Sequence, residues 1–116
     1  MIPSVLILVS SDPNSSPRPA EAVRIAAGVG TWKKADVRLY LHGPAIAALG
    51  EWVDHLQDDD HFTRYLPIAT EGGRPVLVEA GHPAIAELGA TSLPYEEIAP
   101  EQLADWVRRS TYTFRF

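Results

Sequence analysis

Hydroxyl, imidazole and carboxylate side chains stand just after three apolar runs of this 116-residue chain. Ser10, Ser11 and Asp12 follow the run ending at Val9, His42 and Gly43 follow Leu41, and Glu79, Gly81 and His82 close the run from Pro75. An imidazole titrates near neutrality, so His42 and His82 suit an acid–base couple or a metal pair, with Glu79 as partner. The same groups, with the glycine N–H donors, can hold a small polar or anionic molecule. Neither histidine sits in a short metal spacing such as HExxH. Serine or aspartate after a strand also closes an ordinary Asx or Ser turn, and a turn histidine can simply cap. The residues therefore stand as candidate ligand-binding groups, none is assigned as catalytic, and no metal or cofactor is expected.

Other constellations point less far. His55 and His61 flank Asp58, Asp59 and Asp60, and Asp54 lies close by. Oxygen-rich clusters hold calcium or magnesium, but the EF-hand pattern is absent, and aspartates before an apolar stripe cap helices. No P-loop and no GxSxG elbow occurs, and Gly28-Val29-Gly30 falls inside a helical stretch instead of a strand-to-helix turn. Trp32, Trp52 and Trp106 suit packing or an interface better than nucleotide stacking in an acidic chain.

The elements that must position these groups follow from the apolar pattern. Residues 4–10 (SVLILVS) form a β-branched, continuously apolar run, as expected of a strand buried on both faces. Turn formers fill residues 11–19, and Pro19 can open a helix over 19–34, with Ile25, Val29 and Trp32 on one stripe and Ala22 and Ala26 on another. Residues 37–41 and 75–79 read as further strands, each leading into a short helix at Pro44 and Pro83. Between them, Asp59 or Asp60 can cap a helix carrying Phe62, Tyr65 and Leu66, which Pro67 keeps short or bent. Gly72-Gly73 suits a turn, and residues 91–93 suit a brief fourth strand. Pro100 opens a last helix with Leu103, Trp106 and Val107 on one face, Glu101 first and Arg108-Arg109 last, in the order the helix dipole favours. Tyr112, Phe114 and Phe116 then alternate with polar residues, predicting an edge or interface strand with one buried and one wetter face.

Strand and helix alternate, so one domain over residues 1–116 is expected, three-layer α/β/α around a mostly parallel sheet of about five strands. In such sheets ligands bind beyond the carboxyl ends of the strands, which is where the candidate residues fall. VRLYLHGPAIAALG from Val37 and VLVEAGHPAIAELG from Val76 are echoes of each other, with Pro44 matched to Pro83. They are either two βα units sharing turn chemistry or a pseudo-symmetric pair of loops at one end of the sheet.

A formal net charge of -5 disfavours a nucleic-acid groove or an anionic membrane as partner. Zero cysteines exclude disulfides, thiolate metal sites and a cysteine nucleophile. Residues 5–9 are too few for a membrane span and lack the basic start of a leader, so a cytoplasmic setting is expected.

The opening SVLILVSSDPNSSPRPAEAVRIAAGVGTWKKADVRLYLHGPAI and the tail ADWVRRSTYTFRF resemble the DsrE/DsrF-like sulfur-relay proteins, and the resemblance spans most of the chain. It implies a three-layer fold with five strands and assembly into dimers, trimers or hexamers. Sulfur carriers of that family hold a persulfide on a cysteine just after the third strand. The matching stretch here, Glu79-Ala80-Gly81-His82, has no thiol. The resemblance thus implies a non-catalytic member: an accessory subunit that self-associates or meets a partner protein, or a small-ligand-binding domain. The alternative is a small enzyme using His42, Glu79 and His82 at the same rim.

Overall fold

The structure is a computed structural model that describes residues 2–71, 74–91 and 93–116. Its elements are β1 (Ser4–Val9), α1 (Arg18–Thr31), β2 (Asp36–Leu41), a first 3₁₀ helix (Gly43–Leu49), α2 (Asp60–Ala69) and β3 (Val76–Glu79). A second 3₁₀ helix (Pro83–Glu87), β4 (Tyr95–Ile98), α3 (Pro100–Arg109) and β5 (Tyr112–Arg115) complete it. The five strands form one sheet in the order β4-β3-β2-β1-β5, and every neighbouring pair is parallel. All carboxyl ends therefore lie along one edge, hereafter the rim.

Period-2 alternation divides each strand between two faces. Ile7, Val9, Leu39, Leu41, Val76 and Val78 pack with α1, α2 and the first 3₁₀ helix through Val23, Ala26, Phe62, Leu66, Ile46 and Leu49. Small residues on α1 let it approach the sheet closely; Ala20, Ala22 and Ala26 are buried while Trp32 at its end is exposed. Leu6, Tyr40, Leu77 and Ile98 face the other way, covered by α3 through Leu103 and Trp106. The guanidinium groups of Arg38 and Arg109 stand 5.4 and 5.1 Å from the centroid of the Trp106 ring. Val107 turns outward and α3 has no fully buried residue. Gln102 caps it, its Oε1 accepting the Ala99 N–H at 2.7 Å.

Several expectations need correction. The fourth strand is Tyr95–Ile98, and Thr91 and Leu93 are irregular; Ser92 lies outside the described residues, as does the Gly72-Gly73 turn. The YEEI run carries no apolar signal because it is an edge strand, with Glu96 and Glu97 in solvent. Neither Asp59 nor Asp60 makes a side-chain cap on α2, which runs through Pro67 to Ala69. The α1 helix stops at Thr31, short of Lys34, and Lys33 turns left-handed (φ 56°). On β5, the edge strand beyond β1, the expected buried face is open: Tyr112 and Phe114 are 55% and 51% exposed, with no element packed over them among the described residues. Only Phe116 packs on the core.

Candidate functional site

The rim is assembled by the parallel register. Leu8 on β1 pairs with Tyr40 on β2 and with Arg115 on β5, so all three point to the α3 face. One step of alternation further on, Ser10 and His42 return to that face. These residues, with Leu103 and the Val9 position between Leu8 and Ser10, line a cleft of about 290 Å³. Its floor is aliphatic; its mouth holds a hydroxyl, a phenol, an imidazole and a guanidinium.

Two of these groups are set by neighbours, one by burial and one by an ion-pair contact. Tyr40 is 4% exposed. Burial, and secondarily the Glu79 charge, push its phenol above the ordinary 10.0, so it remains a neutral donor. The His42 Nε2 lies 3.7 Å from Glu79 Oε2, and Glu79 Oε1 accepts the Gly43 N–H at 3.0 Å. That second contact holds the carboxylate against the loop, where Gly43 takes φ +58°, a backbone setting that suits glycine. Chemically the pair can orient an imidazole and balance its charge when protonated.

Of the sequence candidates, the structure brings Ser10, His42, Gly43 and Glu79 together and leaves the others to local roles. The Ser10 and Ser11 N–H groups donate to the Phe116 carbonyl at 3.0 and 3.4 Å, joining the end of β1 to the residue that follows β5. Asp12 closes an Asx turn: its Oδ1 accepts from the Asn14 N–H at 2.9 Å and Nδ2 at 3.1 Å. The Gly81 N–H donates to Glu97 Oε1 at 3.0 Å, and His82 Nδ1 accepts the Ala84 N–H at 3.0 Å, capping its own 3₁₀ helix. Among the described residues no three His, Asp or Glu side chains converge as a metal site. The cleft also contains two groups that sequence reading passed over, Tyr40 and Arg115. Alternation back from His42 would have flagged Tyr40, and the wetter face of β5 would have flagged Arg115.

Fold and cleft define a cysteine-free α/β domain with an all-parallel five-stranded sheet and a small polar-mouthed cleft at its rim. Among solved structures it is similar to the crystal structure of ychN protein from E. coli, with a TM-score of 0.79, 19% sequence identity, and coverage of 99% of this chain and 100% of that one. The architecture is thus the DsrE/DsrF-like fold, as the sequence resemblance implies. No family profile matches the sequence, and no curated protein does.

Proposed function

We propose that this chain is a non-catalytic domain of the DsrE-like fold that binds a small ligand in the rim cleft and associates with itself or a partner protein. The cleft carries the reading: Ser10, Tyr40, His42 and Arg115 meet there over an apolar floor. Persulfide carriage is ruled out chemically, since it needs a thiol and the chain has no cysteine. Association is supported by β5, an edge strand whose Tyr112 and Phe114 rings stack at 6.4 Å in solvent. Among the described residues no helix is long and apolar enough to cross a membrane, and a cytoplasmic setting belongs to the same proposal.

Native mass spectrometry of freshly purified protein, set against the denatured mass, tests both halves. A non-covalent adduct lost on denaturation supports binding, and a discrete oligomer or a co-purifying partner supports association. A bare monomer with neither counts against the proposal. The enzyme alternative has one observation in its favour, the His42–Glu79 pair. It requires that His42→Ala abolish a turnover. His82 is occupied as a cap and supplies no second acid or base there.

A further inference from the structure

We infer that the cleft takes a small organic carboxylate with a short apolar tail, an inference that rests on the reading of the cleft as a ligand site. The groups at its mouth are mostly donors: the Ser10 hydroxyl, the Tyr40 phenol and the Arg115 guanidinium. The Arg115 guanidinium has no carboxylate within ion-pair distance among the described residues. Glu79, the acid nearest His42, is already held by the Gly43 N–H and the imidazole. The mouth therefore favours negative charge and disfavours an ammonium ligand.

Shape narrows the class further. A guanidinium presents parallel N–H donors that match a carboxylate in the plane. Leu8 and Leu103 below it offer nothing to a bare inorganic anion but can bury a few carbons. The 290 Å³ volume is just under the range that admits drug-sized molecules, which suits a ligand of roughly ten non-hydrogen atoms. The carboxylate sits at the rim against Arg115 and Ser10, and the tail points in toward Leu103.

Isothermal titration of the full chain with butyrate, hexanoate and benzoate, their matching amides, and inorganic phosphate tests this. At least one carboxylate is expected to bind at one per chain, with its amide at least tenfold weaker. Arg115→Gln should weaken that carboxylate at least tenfold without moving the thermal midpoint, and Arg115→Lys should restore part of the loss. An amide equal to its acid, phosphate tighter than every carboxylate, or an unaffected Arg115→Gln variant overturns the inference while the ligand-site reading stands. If no probe binds, the inference falls; the ligand-site reading then stands or falls on the native-mass adduct alone.

Discussion

The two echoed loops differ by one exchange of neighbours, His42-Gly43-Pro44 in the first and Gly81-His82-Pro83 in the second. In each the glycine takes positive φ, +58° and +75°. In the second loop the histidine therefore directly precedes the proline and curls onto the Ala84 N–H. In the first, glycine intervenes, and His42 keeps the strand alternation that carries it to the face of Tyr40, 6.4 Å away ring to ring. Moving an imidazole by one residue thus turns a cap into a cleft residue, as a one-residue slip does for any strand side chain. Both loops are also tied outward to the next strand, Gly43 to Glu79 and Gly81 to Glu97. The helices behind them diverge as well. Ile46 is fully buried, while its counterpart Ile85 is only partly covered at the edge of the core.

The largest expected contrast lies in that pair. Ile46→Ala should cost about 3 kcal/mol and Ile85→Ala about 1 kcal/mol, read from urea midpoints; equal costs would mean the two helices are equally packed. Gly43→Ala and Gly81→Ala come next, at about 1.5 kcal/mol each. An added methyl meets no atom within 4 Å at either position, so only the backbone angle is penalised and the two costs should agree. His82→Ala should then remove a cap worth about 1 kcal/mol and leave ligand binding untouched. His42→Ala should do the reverse, weakening any cleft ligand with little change in stability; a shared effect would merge the two roles.

The smallest effect is on pH dependence. The Tyr40 phenol has a folded pKa above the unfolded value, so the folded state holds its proton more tightly. Its contribution is present below pH 10.0 and is lost as pH rises through the folded value. Tyr40→Phe should flatten the alkaline fall in stability, and Glu79→Gln should flatten it partly. A tyrosinate absorbance titration alongside alkaline melts checks both.

What could be read in advance tracks burial. The run around Leu6 and Ile7 announces a central strand because both faces are covered, and the rule that ligands sit beyond strand ends leads directly to Ser10, His42 and Glu79. The edges were harder. Glu96 and Glu97 hide β4, since an edge strand needs no apolar pattern, and the aromatic alternation of β5 signals a covered face that none of the described elements supplies. Arg115 escaped for a related reason: its place in the cleft depends on β5 lying beside β1, a pairing of residues some 107 positions apart that no local pattern encodes.

That pairing also orders events in time. β1 precedes β5 by about 107 positions, so it gains its second neighbour only when that distant segment arrives, with the Ser4 N–H meeting the Thr111 hydroxyl and the Phe116 N–H meeting the Leu8 carbonyl. Contacts of such long span are slow to form, because the intervening chain must be gathered before they reward it. One flank of β1 thus stays unpaired until the β5 segment has folded back onto it, so the cleft, which needs Arg115 beside Leu8, is completed late in folding.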